Sequence, residues 1–246
     1  MTKLSEETLA HLRATSTATL TTQLFRRGIR NAFVQGVRPL GAYRGKLIGP
    51  AFTLRYIPAR EDIDAFGAKP DPNDRQREAL EAVPRGHVLV MDCRGETRAA
   101  SAGDIYIARL AVKGVAGVVS DGAVRDSEQI GQMNFPVFCG GPSAPTNRIV
   151  HHAADYDLPI GCGGVAVYPG DIVVGDADGV AIIPRRLVDE VAGDAAEQEL
   201  LESYILKRVT MGEPLPGLYP INGATRAAYE AWCAEQAADK RKNRDG

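Results

Sequence analysis

Two short segments carry residue types that could do chemistry together. The first is Gly103-Asp104-Ile105-Tyr106 and the second is Arg125-Asp126, with twenty residues between Asp104 and Arg125. Arginine offers a planar fork for a carboxylate, and the free amides at a helix start suit the same group. Aspartate oxygens suit Mg²⁺ or Mn²⁺ better than zinc. Together these types predict a site for a small 2-oxo acid beside a divalent metal.

The elements expected between the two segments would bring them together. A helix is predicted over 104–113 and a buried strand over 115–120. Because a helix followed by a return strand brings its two ends close, both segments could face one crevice of the kind that binds ligands in α/β proteins. A structural explanation stays open. Asp126 could be a helix cap with Gln129 as in a capping box, and Arg125 with Asp126 could be a weak surface pair.

Helices and strands alternate along the rest of the chain. The further predicted helices lie at 1–28, 76–83, 126–133 and 186–211, and the further strands at 46–48, 51–57, 87–92, 136–138, 165–168, 171–174 and 180–183. The polar stretch 58–75 is predicted to be a loop that could cover a site. We therefore expect a single α/β domain over 1–236 with a C-terminal helical arm, and a disordered tail over 237–246.

Composition and charge exclude several classes of function. The 246 residues are 44% hydrophobic, which is enough for a sizeable core. With 29 Lys and Arg against 31 Asp and Glu, the net charge of −2 disfavours nucleic-acid binding. No apolar run reaches the ~18–20 residues that span a bilayer, and the N-terminus lacks the apolar core of a secretory signal. We expect a cytoplasmic protein without nucleic-acid or membrane partners.

The order of these motifs resembles that of the RraA-like family. After Asp104 and Arg125-Asp126 come Phe135-Pro136-Val137-Phe138, then 169–174 and 176–180, and the similarity covers roughly residues 15 to 212. This family includes class II 4-hydroxy-4-methyl-2-oxoglutarate (HMG) aldolases, some of them oxaloacetate decarboxylases, and the RraA protein that inhibits a ribonuclease. The resemblance implies a swivelling β/β/α sandwich, assembled as trimers or hexamers with sites at subunit interfaces.

The resemblance also implies a role for each site residue. The loop Gly103–Tyr106 matches the one that holds the substrate's pyruvyl carboxylate through backbone N–H groups. Asp104 matches the acid that orients water around the metal. Arg125 matches the arginine that binds the pyruvyl oxygens and stabilises the enolate, and Asp126 matches the single direct protein ligand of the metal, Mg²⁺ or Mn²⁺.

One further role concerns the C-terminal helix. In the aldolases a glutamate from a neighbouring subunit helps to hold the metal's waters, and its position matches Glu202, with Glu197 and Glu199 as near alternatives. The chain also departs from the family pattern. Gln129 stands where aldolases often carry Asp or Glu, and Tyr106 is bulkier than the usual leucine. These departures bear on the distal part of the substrate site.

The function implied is a divalent-metal-dependent pyruvate aldolase that cleaves 4-hydroxy-2-oxo acids such as HMG and also decarboxylates oxaloacetate. Because no lysine lies in either site segment, metal chemistry is favoured over a Schiff base. Two alternatives stay open: a protein-binding regulator of ribonuclease activity, and a related metal-dependent sugar-acid lyase or hydratase. The natural substrate, the choice between trimer and hexamer, and the choice between Mg²⁺ and Mn²⁺ do not follow from the sequence.

Overall fold

The computed structural model of the protein describes residues 3–41, 45–64 and 74–242. The helices are α1 (Glu6–Ala14), α2 (Thr17–Arg26), α3 (Arg75–Ala82), α4 (Asp104–Lys113), α5 (Ser127–Gln132), α6 (Val188–Thr210) and α7 (Gly223–Lys242). The strands are β1 (Phe33–Val34), β2 (Arg38–Pro39), β3 (Leu47–Pro58), β4 (Val88–Asp92), β5 (Ala100–Ala102), β6 (Gly117–Ser120), β7 (Ala123–Val124), β8 (Val137–Cys139), β9 (His151–Tyr156), β10 (Ile160–Cys162), β11 (Val165–Val167), β12 (Ile172–Gly175) and β13 (Val180–Ile183). The predicted α/β class is confirmed.

The main sheet is organised around the long strand β3. Its order is β1-β13-β12-β3-β4-β6-β8-β2, and β9 pairs with the far end of β3. The first part of β3 runs antiparallel to β12, with Pro50 opposite Ile172, and the next part runs parallel to β4, with Ala51 opposite Val88. The parallel strands β4, β6 and β8 form the half of the sheet that lies near the two site segments. Two smaller sheets pair β10 with β11 and β5 with β7.

The predicted break in β3 at Gly49-Pro50 is wrong, because the strand runs through both residues. A proline lacks the N–H that a strand interior needs, but Pro50 lies where the main pairing passes from β12 to β4. Gly49 is required there for a different reason. A Cβ at this position would lie 2.6 Å from the carbonyl oxygen of Gly86. Glycine and proline therefore mark a close approach of two backbones and not the end of a strand.

The predicted single helix over 1–28 is also wrong, because the chain forms two helices with a break at Thr15-Ser16. Both residues have extended backbone angles, and the Ser16 side chain accepts a hydrogen bond from the Thr19 amide, which starts α2. Serine competes well for the first amides of a helix, so a new helix begins where a continuous one was expected.

Apolar cores on the sheet's faces position α4. Ile107 and Leu110, on one face of α4, are fully buried with Leu89 and Val118 of the parallel strands. Burial of each such side chain contributes about 1.5–3 kcal/mol. Elsewhere, α1, α2 and α6 cover β12 and β13 through a separate aliphatic cluster. The start of α4 is therefore anchored to the sheet.

The C-terminal arm consists of α6 and α7. Tyr204 of α6 packs on Tyr229 and Trp232 of α7, with ring centroids 5.5 and 5.4 Å away. Helix α7 continues to Lys242, into the range 237–246 that was predicted to be a disordered tail, and residues 243–246 lie outside the described part of the chain. The predicted loop 58–75 overlaps the end of β3, and its residues 65–73 also lie outside that part. No described helix combines the length and apolarity that a membrane crossing requires.

Candidate active site

The short parallel pair of β5 and β7 joins the two site segments. Ala100 lies opposite Ala123 and Ala102 opposite Val124, and the Arg125 amide donates to the Ala102 carbonyl at 3.0 Å. The residues that directly follow the two strands are therefore neighbours. The sequence predicted this proximity but not the strands that produce it, since each is only two or three residues long and lacks a recognisable pattern.

Asp121 secures the turn that leads into β7. Its carboxylate accepts three backbone N–H bonds, from Cys93 at 2.6 Å and from Gly95 and Gly163 at 3.1 Å each. Burial raises the pKa of Asp121 despite these three donors. One carboxylate thus holds three loops together immediately before the second site segment.

A cavity of about 510 Å³ opens beside the two segments. All of the predicted site residues except Glu202 line it, together with residues that the sequence did not identify: Gly103, Asp104, Ile105, Tyr106, Arg125 and Asp126 from the predicted set, and Gln76, Arg77, Ala100, Ser101, Ala102, Thr146 and Asn147 besides. The structure therefore gathers the two segments at one concave surface, as a ligand site requires. Their individual roles stay predictions.

The first turn of α4 lacks a side-chain cap. Its N-cap is Gly103, the Ile105 amide is bonded by the Asp104 carboxylate at 2.7 Å, and the Asp104 amide lies 3.4 Å from Asp126 Oδ2. Among the described residues, nothing accepts a hydrogen bond from the Tyr106 amide. This turn faces the cavity, so an anion there would meet backbone donors and the positive end of the helix dipole.

Gly103 is required for the carboxylate of Asp126 to lie against the start of α4. A Cβ on Gly103 would be 2.7 Å from Asp126 Oδ2 and 3.0 Å from Arg125 Cγ. Asp126 itself has a φ of 55°, a left-handed conformation that costs a non-glycine residue about 1–3 kcal/mol. The structure therefore holds a strained aspartate against a glycine.

The alternative interpretation of Asp126 as a helix cap is confirmed for its position, the N-cap of α5, but the expected capping box is not formed. Asp126 precedes α5, but its side chain makes no capping hydrogen bond to that helix. The carboxylate instead lies beside the Asp104 amide and 3.3 Å from Arg125 Nε. Residues held in this conformation cluster at active sites and ligand-binding sites, which fits the functional interpretation.

The charged side chains of the site have nitrogen and oxygen atoms left to bind a ligand. Arg125 is tethered through Nε, and within the described part of the chain its two terminal nitrogens have no partner. Asp126 Oδ1 likewise has none there. These side chains are about half and one-third exposed, so their mutual attraction is largely screened by water.

The donor set fits a hard divalent cation that keeps most of its water. Among the described residues, no group of three or more His, Cys, Asp or Glu side chains could enclose a metal ion. A zinc cage is therefore not built here. Asp126, with Asp104 nearby, matches the one or two carboxylates that Mg²⁺ requires from a protein.

Glu202 lies elsewhere in the same chain. It is on α6, accepts a hydrogen bond from Gln198 at 2.7 Å, and lines a different cavity against α2. Glu199 is engaged with the backbone of Ser16 at the start of α2. A contribution of Glu202 to the site therefore needs a second subunit, and it stays a prediction.

Arg77 lines the cavity next to Tyr106 and was not identified from the sequence. Arg77 lies on α3, and its Nε donates to the Tyr106 hydroxyl at 3.4 Å. Gln76, the preceding residue, donates to the Ser101 carbonyl at 2.6 Å and accepts from Asn147 at 2.5 Å. No sequence signal could have assigned Arg77, because its place depends on how α3 packs against α4.

Comparison with known proteins gives one consistent result. The RraA-like family profile, described as Aldolase/RraA, matches residues 17–182. A Halalkalibacterium halodurans protein named "Putative 4-hydroxy-4-methyl-2-oxoglutarate aldolase" is 33% identical over 163 residues, 66% of this chain and 71% of that protein. An Aromatoleum aromaticum protein of the same name is 42% identical over 119 residues, 48% of this chain and 74% of that protein.

Solved structures agree with the sequence matches. The crystal structure of Streptomyces coelicolor RraAS2, described as an unusual member of the RNase ES inhibitor RraA protein family, matches with a TM-score of 0.73. It is 30% identical, and the match covers 83% of this chain and 98% of that one. The predicted fold is thereby confirmed.

Proposed function

This chain belongs to the RraA-like family, and on that premise we propose that it is a divalent-metal-dependent lyase that releases pyruvate from 4-hydroxy-2-oxo acids such as HMG. The observation that carries this proposal is the meeting of Arg125 and Asp126 with the uncapped start of α4 in one cavity. The names of the relatives support it. The same site would decarboxylate oxaloacetate.

Substrate binding uses the groups that the chain leaves without partners. The substrate's C1 carboxylate would accept a hydrogen bond from the Tyr106 amide in the first turn of α4. Arg125 directs its terminal nitrogens to the keto oxygen. Asp126 would hold Mg²⁺ or Mn²⁺ through its free oxygen, and Asp104 would orient water at the metal site. When bound, the metal supplies Lewis-acid stabilisation of charge on the keto oxygen.

The cleavage step places negative charge where Arg125 lies. The C3–C4 bond breaks, its electron pair forms the enolate of pyruvate, and the C4 hydroxyl becomes a carbonyl. A water molecule positioned by Asp104 accepts the hydroxyl proton, and water then protonates C3. Arg125 stabilises the enolate oxygen, as a preorganised donor does in an oxyanion hole. With oxaloacetate the same bond breaks and CO₂ leaves.

A pyruvate-release assay tests the proposal. Purified protein receives HMG or oxaloacetate with Mg²⁺, with Mn²⁺ or with a chelator, and free metal alone serves as the background. We expect metal-dependent pyruvate from the wild type. We also expect a loss of about 10³-fold in Arg125→Ala and Asp126→Ala, because each removes a group that acts on the developing charge. Both variants should keep the wild-type circular dichroism. Wild-type turnover in Asp126→Ala would refute the proposed site.

The site is proposed to be completed by a second copy of the chain, in a trimer or hexamer. Ile105 and Val112, seven residues apart on one face of α4, are 78% and 79% exposed, and an apolar strip beside a site favours cover by another chain. Glu202 of that copy would then help to hold the metal's waters. Glu202→Gln should raise the Mg²⁺ concentration needed for half-maximal activity.

A protein-binding regulator of a ribonuclease is the second candidate function. The 30% identical RraAS2 structure favours it, since its description names an RNase inhibitor family. Adding the purified chain to an RNase E-type enzyme distinguishes the two. Inhibition without any pyruvate release would support the regulator, and pyruvate release without inhibition would support the lyase.

A further inference from the structure

Two arginines line the cavity, and each is held through the same atom of its guanidinium group. Arg77 and Arg125 are each tethered through Nε, Arg77 to the Tyr106 hydroxyl and Arg125 to Asp126. In the described ranges, the terminal nitrogens of both guanidinium groups have no partner. Each arginine therefore presents the two-pronged face that binds a carboxylate. The lyase chemistry uses only Arg125.

Tyr106 holds Arg77 beside the first turn of α4. The Tyr106 amide would bind the first carboxylate, and the hydroxyl at the other end of the same residue accepts a hydrogen bond from Arg77 Nε. Arg77 and the start of α4 line one cavity, so a ligand bound through one carboxylate at this turn lies in the same cavity as Arg77.

The charge around Arg77 favours an anion. Asp74 Oδ2 lies 3.4 Å from Arg77 Nε and 4.0 Å from Arg148 Nη2, so one carboxylate faces two guanidinium groups. Its Oδ1 is engaged with the amides of Gln76 and Arg77 at the start of α3. The cluster of Asp74, Arg77 and Arg148 thus carries a formal charge of +1, which one further carboxylate would neutralise.

Helix α3 holds Arg77 at a fixed place over the cavity. At its other end, Glu81 forms a two-pronged ion pair with Arg109 of α4, at 2.9 and 2.8 Å. Lys113 of α4 donates to the Leu80 carbonyl at 2.8 Å. Because α3 is attached to α4 along its length, Arg77 is positioned before any ligand arrives, which lowers the entropic cost of binding.

From these contacts we propose that Arg77 binds a second carboxylate of the substrate and so selects dicarboxylic over monocarboxylic 2-oxo acids. This inference rests on the proposed lyase function for its kinetic test. Tyr106 is then a positioning residue, whose hydroxyl holds Arg77 Nε and turns the terminal nitrogens toward the ligand.

The kinetic test compares HMG with 4-hydroxy-2-oxopentanoate, which carries no second carboxylate. In Arg77→Met, the ratio of kcat/KM for HMG to kcat/KM for 4-hydroxy-2-oxopentanoate should fall about tenfold to a hundredfold, because hydrogen bonds to a charged group are lost. The matched control is Arg55→Met, which removes another arginine paired with an acid, Asp155, but outside the cavity, and which should leave the ratio unchanged. In Tyr106→Phe the ratio should fall less, through KM and not kcat. An unchanged ratio in Arg77→Met would overturn the inference.

A binding test separates this inference from the lyase proposal. With Mg²⁺ present, calorimetry compares 2-oxoglutarate with 2-oxopentanoate, which has the same chain length but a methyl group in place of the second carboxylate. The wild type should prefer 2-oxoglutarate at least about tenfold, and Arg77→Met should lose that preference. This result would stand even if the wild type released no pyruvate. Equal affinity of the wild type for both acids, or no binding of either, would overturn it.

Discussion

The first turns of α2 and α4 satisfy their amides in different ways, although every helix begins with N–H groups that lack carbonyl partners. In α2, the Thr19 amide is bonded by Ser16 at 3.2 Å and the Thr17 amide by Asp176 at 2.8 Å. In α4, the N-cap is Gly103, which has no side chain to offer. In each helix one early amide has no acceptor among the described residues, that of Ala18 in α2 and that of Tyr106 in α4, so the two helix starts differ in the N-cap residue and in the carboxylate beside it.

The difference shows in the carboxylates beside each helix. Asp176 accepts from the Thr17 amide and hydroxyl and from Lys46 at 2.9 Å. Burial raises the pKa of Asp176, but the hydrogen bonds from Lys46 and Thr17 outweigh it and hold that pKa below its ordinary value. Asp126, beside α4, has only long contacts of 3.3 and 3.4 Å. A carboxylate whose oxygens are hydrogen-bonded within the chain stabilises the fold, whereas a carboxylate with an oxygen left without a partner can bind a ligand.

Among the substitutions that test this comparison, Gly103→Ala should cause the largest loss of activity. The added Cβ would displace Asp126 Oδ2, 2.7 Å away, and a displacement of this size in a site costs about a hundredfold in activity. The backbone angles of Gly103 suit alanine, so the fold should persist. Pyruvate release and thermal melting measure the two effects. The control is Gly193→Ala on α6, where a Cβ meets nothing within 4 Å. Full activity of Gly103→Ala would show that the reaction does not require Asp126 to lie against the start of α4.

Asp104→Ala should lower kcat about tenfold to a hundredfold, because an acid that orients water around a metal acts less directly than a metal ligand. Its effect on KM should be smaller. Steady-state kinetics with HMG distinguish these effects. An unchanged kcat would mean that Asp104 only bonds the Ile105 amide within its own helix turn.

Asp176→Ala should affect stability and leave the chemistry intact. It removes the partner of the Thr17 amide and of Lys46, a loss of about 2 kcal/mol in the free energy of unfolding. For a chain of this size the Tm should fall by about 4–8 °C. Calorimetry measures this shift, and kcat below the melting range should equal that of the wild type. A loss of kcat without a loss of Tm would reverse the roles assigned to the two helix starts.

The smallest expected effect is a pH dependence of the stability that Asp176 contributes. The pKa of Asp176 is lower in the folded protein than in the unfolded chain. Its stabilising contribution is therefore fully present above the unfolded pKa of about 4 and is lost as the pH falls through the folded value. The stability difference between wild type and Asp176→Asn, measured by urea unfolding, should shrink below about pH 4. A difference that stays constant from neutral pH into the acid range would contradict this assignment.

Local signals in the sequence were sufficient for part of this account. Helix α4 has its predicted bounds, Asp104–Lys113, since Gly103 and Gly114 mark both ends. The α/β class and the meeting of the two site segments also follow from patterns within the chain. The sequence predicts two strands in place of β3, because glycine and proline usually interrupt strands, and only the neighbouring backbone explains Gly49 and Pro50 there.

Features that depend on tertiary packing could not be predicted. The strands β5 and β7 are too short to show a period, yet their pairing joins the site. Arg77 is one of several arginines in a polar stretch, and only the packing of α3 on α4 brings it to Tyr106. Asp126 fits a capping pattern in the sequence, and its left-handed backbone directs the carboxylate elsewhere.

A titration with oxalate, a planar analogue of the pyruvate enolate, tests the central claim most directly. In the presence of Mg²⁺, calorimetry would compare the wild type, Asp126→Ala and Asp176→Ala. We expect the wild type and Asp176→Ala to bind oxalate with the same affinity and Asp126→Ala to show no measurable binding. Binding by Asp126→Ala as tight as that of the wild type would contradict the claim that Asp126 and the start of α4 form the ligand site.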